Sequence, residues 1–410
     1  MNYLRCWRGL ASGGAYALDA PMNLDPVDGR PVQLELDLDR LQHDHPGRSW
    51  LREQRSMWRY GPLLPFDSAG DESPVVTLGE GWTPLLGASD LPGAKRAGLN
   101  LYVKDEGFHW PGYGGNPTLS FKDRGMSMVA SMARHYGLRR LAVPTQGNAG
   151  DSLCRYAQAA GAEVAVIMPE DTPEPIVGSV AAAAARNPGV ILDFVTGTIR
   201  EAGARMKEFY LPRGYFNCAT FQEPGWRIEG KKTLGLEIAE QLAWRFPDAI
   251  VYPTGGGTGI LGMWKAFTEL QQLGVVEGDL PRMYCIQAEA TAPLAEAWRR
   301  GAEDSESVSP GATLATGLNV PGGVGHFAVL RTVRESGGSV LAVSEAEIEA
   351  AFREVWQRKH WWICPEGAAC LAALDSLVEG GQLRRDETVI VVNTGSFEKY
   401  LPNLRGWLVA

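Results

Sequence analysis

The sequence predicts an α/β protein of two open domains with mostly parallel sheets. From residue 76 onward, short runs rich in β-branched and apolar residues alternate with longer amphipathic ones. The short runs are apolar almost throughout rather than at every second position, as in strands buried on both faces. A chain of 410 residues also exceeds what one small core absorbs, which favours two packed domains.

The elements follow in order. Residues 1–75 are rich in Gly, Pro and Asp, with weak periodicity until "LELDLDRL". They read as an N-terminal extension that packs on the main body. "LYVKDE" opens the regular alternation. A helix over 121–136, the strand "RRLAVPT", a helix over 149–160 and the strand "EVAVIMP" come next. A helix over 173–186, the strand "VILDFVT" and a helix over 198–209 complete a first domain spanning 76–220. The second domain, 221–410, begins with a helix near 226–245. It runs through "AIVYPT", a glycine run, the helix "ILGMWKAFTELQQLG" and the strand "RMYCIQAE". The helix "APLAEAWRRG", the strand "SVLAVSE", two helices and the strand "TVIVVNTG" finish it.

Composition narrows the function classes. A hydrophobic share of 45% and a charged share of 21% are those of a soluble globular protein. A net charge of −9 argues against nucleic-acid and anionic-membrane partners, which need positive fields. No stretch reaches the ~20 apolar residues of a membrane helix, and "MNYLRCWRGLASGG" offers no signal-peptide core. Cys6, Cys154, Cys218, Cys285, Cys364 and Cys370 are scattered through apolar segments without a CxxC pair. That is the usage of reduced, buried thiols, so a cytoplasmic protein without a metal is expected. Apolar and Trp-containing surface segments would allow a homodimer.

In parallel-sheet folds, ligands bind beyond the carboxyl ends of strands, so the turns after strands are the candidates. "PTGGGTGILG" follows one strand and opens a helix. Gly255, Gly256, Gly257 and Gly259, with Thr258 among them, let backbone amides approach an anion at a helix N-terminus. It is neither a Walker A loop nor GxGxxG, which points to the phosphate of a small cofactor. "PTQGNAGDSL" follows another strand, and Thr145, Gln146, Gly147 and Asn148 could present amides to a carboxylate. After the last strand, "VVNTGSFEKY" sets Thr394 at a strand end, where its hydroxyl could meet a ring nitrogen.

"NPTLSFKDRG" puts Lys122 behind Phe121 at the start of a helical run. Alone, Lys122 reads as a charged helix start. With a phosphate loop, a carboxylate loop and a strand-end hydroxyl, the constellation describes a site for pyridoxal phosphate carrying an amino acid. The lysine would be the Schiff-base anchor and proton shuttle, with desolvation beside Phe121 favouring its neutral form.

"NPTLSFKDRG", "PTQGNAG", "PTGGGTG" and "NTGS", in this order, resemble threonine synthase. That family belongs to the fold-type-II pyridoxal-phosphate enzymes (tryptophan synthase β-like), with the serine and threonine dehydratases and cysteine synthase. The likeness runs from about 76 to 401 and extends into "SMWRYGPLLPF", "EGKKTLGLEIAEQ" and "CPEGAA". It implies a cofactor in the cleft between two α/β domains, with Lys122 as the Schiff-base lysine and Asn148 at the cofactor's phenolic oxygen. Gly255 to Gly259 would hold its phosphate, Thr394 would face its pyridine nitrogen, and Thr145 to Asn148 would take the substrate carboxylate. The expected reaction converts O-phospho-L-homoserine and water to L-threonine and phosphate. Arg124 and Arg155, close to the loops, are candidates for the leaving phosphate, with a structural ion pair as the equal alternative for Arg124. The alternative is a β/γ-replacement or elimination enzyme acting on another amino acid.

The sequence departs from the family pattern at several edges. Only Cys6 remains where relatives often begin with paired cysteines, so no metal is expected. "FHWPGYGG" lengthens the junction between Gly107 and Asn116 and is read either as a surface loop or as a reshaped substrate entrance. Gln146 replaces a small Ser or Thr, and "GSFEKY" carries Phe397 and Glu398 where "GSGLKY" is commoner.

Overall fold

The structure is a computed structural model that describes residues 3–68, 72–219 and 225–409. The domain boundary expected at 220/221 lies outside the described residues. The chain divides into two compact units, Met1–Gly81 with Asn116–Lys231, and Trp82–Gly115 with Lys232–Ala410.

The first unit holds a parallel four-stranded sheet in the order Val190–Val195, Glu163–Pro169, Arg140–Pro144, Phe216–Asn217. "EVAVIMP" is buried from its second residue on, as a two-sided strand requires. The helices Lys122–His135 and Asn148–Ala159 join its core through Met126, Val129, Leu153 and Tyr156, packed with Leu141, Val143, Val164 and Val166. The N-terminal segment is more regular than the sequence suggests. Leu4–Gly9 pairs antiparallel with both Ala15–Tyr16 and Val32–Leu36. "VQLEL" alternates buried and half-buried positions, and Trp7, Val32, Leu34, Met57 and Trp58 enter the same core. Its Gly- and Pro-rich flanks hide that short alternation.

The second unit is built on a six-stranded sheet. Its order is Val340–Val343, Arg282–Ala288, Ala249–Pro253, Thr388–Asn393, Asn100–Asp105, Leu85–Gly87. The first five are parallel, and Leu85–Gly87 closes an edge antiparallel. Asn100–Asp105 pairs residue by residue with Thr388–Asn393. Residues 82–115 therefore belong here rather than to a 76–220 domain, because the strand's partner is not the next strand in sequence but one near the C-terminus. Lys104 fixes that placement. Its Nζ, fully buried, lies 2.7 Å from Glu237 and donates to the Thr83 carbonyl at 2.6 Å. A buried ion pair holds only when its remaining protons are satisfied in this way. Among the described residues, no helix is long and apolar enough to cross a membrane.

Candidate active site

In the first unit, Lys122 opens the helix Lys122–His135 with Phe121 as a cap that offers no side-chain acceptor. The turn before it is tightly held. Asp123, fully buried, accepts from the Thr118 amide and hydroxyl, both at 2.7 Å, and from the Ser152 hydroxyl at 2.6 Å. Leu119 sits in the left-handed region at φ +53°, a conformation that costs an L-residue about 1–2 kcal/mol and persists only where neighbours enforce it. Lys122 itself is half-buried, its Nζ 4.8 Å from the centre of the Phe121 ring. A second ammonium faces that ring. Lys231 Nζ lies 3.7 Å from its centre and donates to the Phe121 carbonyl.

The Ser152 bond ties the lysine turn to the helix Asn148–Ala159, which follows the strand Arg140–Pro144. Thr145 is buried, and its hydroxyl accepts from the Gly147 amide at 3.1 Å and donates to the Gly147 carbonyl at 3.0 Å. This local turn brings the half-buried Gln146, Gly147 and Asn148 to a helix start that has no side-chain cap. Asn148 Oδ1 is buried without a hydrogen-bond partner. The two arginines are placed differently from expectation. Residues 123–133 are buried without exception, so Arg124 is enclosed in the protein rather than offered to a substrate. Arg155 is on a surface, its side chain half exposed and 3.8 Å from Asp151 one helical turn earlier.

In the second unit, Ala249–Pro253 and Thr388–Asn393 are adjacent parallel strands, so the glycine turn and Thr394 emerge at the same sheet end. Gly257 has φ +86° and caps the helix Thr258–Gln272 without a side chain, which leaves the first-turn amides of Thr258 and Gly259 for an anion. A Cβ at Gly255 would strike the Gly317 carbonyl, and one at Gly259 would strike the Tyr252 hydroxyl. Thr394 is buried, its hydroxyl 3.7 Å from the Cys364 thiol. Burial holds that thiol well above its ordinary pKa, so it stays an S–H.

Residues 76–395 match the family model described as pyridoxal-phosphate dependent enzyme. This chain belongs to that family. Within it, the chain is 33% identical to the threonine synthase of Methanosarcina acetivorans, over 89% of this chain and 83% of that one. It is 32% identical to the threonine synthase of Methanocaldococcus jannaschii, over 84% of this chain and 80% of that one. The processed form of threonine deaminase isoform 2 from Solanum lycopersicum has the same fold-type-II architecture. It superposes with a TM-score of 0.66 at 21% identity and covers 95% of this chain and 96% of that one.

The residues present fit the family's cofactor. Asn148 keeps a buried amide oxygen unsatisfied, which a polar ligand group would relieve. The helix start after Gly257 offers bare amides suited to a phosphate.

Three side chains to which the sequence reading assigns no role also contribute, although Glu366 lies within "CPEGAA". Glu80, fully buried, accepts from Trp58 Nε1 at 2.8 Å, Ser127 Oγ at 2.6 Å, Tyr156 hydroxyl at 2.7 Å and the Leu78 amide at 2.9 Å. It binds the lysine helix and the Asn148 helix to one carboxylate. Glu366 accepts from the Gly317 amide at 2.8 Å and the Tyr400 hydroxyl at 2.9 Å, which steadies the Gly317 backbone against Gly255. His326, buried, meets the Gly255 carbonyl at 3.2 Å through Nε2 and the Ser305 hydroxyl at 2.6 Å through Nδ1. Because a carbonyl only accepts, Nε2 carries the proton and Nδ1 accepts. No spacing in the sequence signals any of these contacts.

Burial pushes His326 down from 6.5 to about 4. Between those values the unfolded chain binds a proton that the native protein refuses, so stability falls as pH drops from about 6.5 towards 4. This group alone should cost about 2–3 kcal/mol by pH 4.5. Urea unfolding of wild type and His326→Gln at pH 7 and pH 4.5 checks it. The stability difference between the two proteins is expected to shift in the variant's favour at the lower pH.

Proposed function

We propose that this chain is a threonine synthase, converting O-phospho-L-homoserine and water to L-threonine and phosphate. The observation that carries the reading is its likeness to threonine synthases along most of its length, at a level well above its identity to the deaminase of the same fold. Lys122 is the covalent anchor for pyridoxal phosphate, and the amides from Gly255 to Gly259, Gly256 included, receive the cofactor phosphate. Asn148 meets the phenolic oxygen, and the Thr394 hydroxyl meets the ring nitrogen. When bound, the cofactor supplies an electron sink conjugated to the substrate's Cα.

The protein's own groups do the rest. The 145–148 turn takes the substrate carboxylate at an uncapped helix start, and that orients Cα towards Lys122. The Lys122 amine removes the protons from Cα and Cβ and returns one to Cα. Its position beside the Phe121 ring limits the water that competes for that amine. Phosphate leaves Cγ with the C–O bonding pair, and the proton taken from Cβ is delivered to Cγ. The hydroxyl of water bonds to Cβ while the remaining water proton ends on the released phosphate. Arg155 stands as a candidate for the leaving phosphate only if it leaves Asp151, whereas the enclosure of Arg124 argues for a positioning role in the helix. The same reading carries a cytoplasmic setting, supported by six buried cysteines outside any disulfide, and a homodimer.

Purified protein is expected to release phosphate and threonine in equal amounts from O-phospho-L-homoserine. A second reading, replacement or elimination on another amino acid, is favoured by the residues inserted at 108–115. Activity on serine, threonine or another activated amino acid, with none on O-phospho-L-homoserine, would establish it instead.

A further inference from the structure

The inserted segment 108–115 is fastened to the ligand end of the second unit's sheet. Asp105 ends the strand Asn100–Asp105 and is opposite Asn393 in register. Its buried carboxylate takes three donors, the Gly107 amide at 3.0 Å, Asn393 Nδ2 at 2.8 Å and Trp110 Nε1 at 2.7 Å. Asn393 Oδ1 in turn accepts from the Cys364 amide at 3.0 Å, and the Cys364 thiol faces the Thr394 hydroxyl. A Cβ at Gly107 would strike the Gly395 backbone, so the base of the insert rests on the residue after Thr394. The Trp110 ring also meets the edges of Trp361 and Phe108, with centroids 6.2 and 5.8 Å away. Beyond this anchor the segment turns through Gly112 at φ +88° and returns to bond Gly114 N to the Trp82 carbonyl at 2.9 Å. It leaves Phe108 and Tyr113 about 40% exposed, together with His109.

A loop that merely lengthened a surface turn would have no reason to occupy a buried carboxylate. Ligands of this fold class meet the carboxyl ends of the parallel strands, which is where the insert is held. We propose that 108–115 is an aromatic wall at the ligand end of the second unit's sheet, and that Trp110 is the positioning residue that latches it to Asp105. The proposal rests on the reading of the chain as a threonine synthase for the identity of the substrate, but not for the latch.

Trp110→Phe tests it, because the ring contacts largely persist while the one N–H donor is lost. In the holoenzyme, KM for O-phospho-L-homoserine should rise about tenfold with kcat changed by no more than about twofold, the signature of lost binding rather than lost chemistry. Chymotrypsin should cut after Phe108 or Tyr113 several times faster than in wild type, while Tm and the cofactor's visible absorption stay put. Unchanged KM together with unchanged cleavage overturns the proposal. So does a joint fall of kcat and Tm, which would make Trp110 a general structural residue. If wild type fails to turn over O-phospho-L-homoserine, the functional reading is what fails. The latch is then judged by cleavage and by the affinity of whichever amino acid shifts the cofactor's spectrum. No change in either overturns it.

Discussion

Lys122→Ala is expected to lose the visible absorption of the bound cofactor and to lower turnover by roughly 10³-fold or more, since the proposed function gives one amine the roles of both anchor and proton carrier. The fold should survive. Lys122 is half-buried at a helix start, and alanine is the best helix former. Asp123 keeps its bonds to Thr118 and Ser152, so the turn stays shaped. Spectrophotometry, steady-state turnover and circular dichroism on the same preparation check all three statements. A variant that stays coloured and active would remove Lys122 from the chemistry.

The second large effect falls on stability. Glu80→Ala would remove the acceptor shared by the buried Trp58 indole, the buried Ser127 and Tyr156 hydroxyls and the more exposed Leu78 amide. Ser127 keeps the Val76 carbonyl at 2.7 Å and Trp58 keeps the Ser127 hydroxyl at 3.2 Å, whereas the Tyr156 hydroxyl loses its partner. Burial and the Glu80 charge already push the Tyr156 hydroxyl far up, so it can respond only as a donor. Stranding the buried Tyr156 hydroxyl, weakening the other three bonds and leaving a cavity should together cost about 2–4 kcal/mol. Urea unfolding at pH 7 reads it. Glu80→Gln should cost less, because its amide oxygen still accepts. Both variants should also lose activity, since Glu80 holds together the two helices that start at Lys122 and Asn148.

The sequence made the sheets legible wherever strands were apolar on both faces. "EVAVIMP" and "AIVYPT" therefore mark Glu163–Pro169 and Ala249–Pro253 closely. It did not reveal which sheet Asn100–Asp105 would join. Its partner lies 288 residues away, and local periodicity carries no information about such pairing. The N-terminal sheet escaped for another reason, since its alternation lasts only five residues at Val32–Leu36. At the site, the residues that opened helices after strands were readable, because glycine and asparagine announce such turns. The residues that hold them were not. Glu80 reaches Tyr156 across 76 positions and His326 reaches Gly255 across 71. Arg124 was a candidate by its proximity to the loops, with a structural ion pair as the alternative, and its full burial in the helix favours the structural role. Phe397, odd against the family pattern, fills the core by stacking on Trp362 at 4.0 Å.

The central claim is that one amine carries the cofactor, and borohydride reduction of the holoenzyme followed by peptide mass spectrometry addresses it most directly. The account predicts a single pyridoxyl adduct, on the peptide containing Lys122. An adduct on Lys231, which faces the same Phe121 ring, or on any other lysine, or none at all, would contradict it.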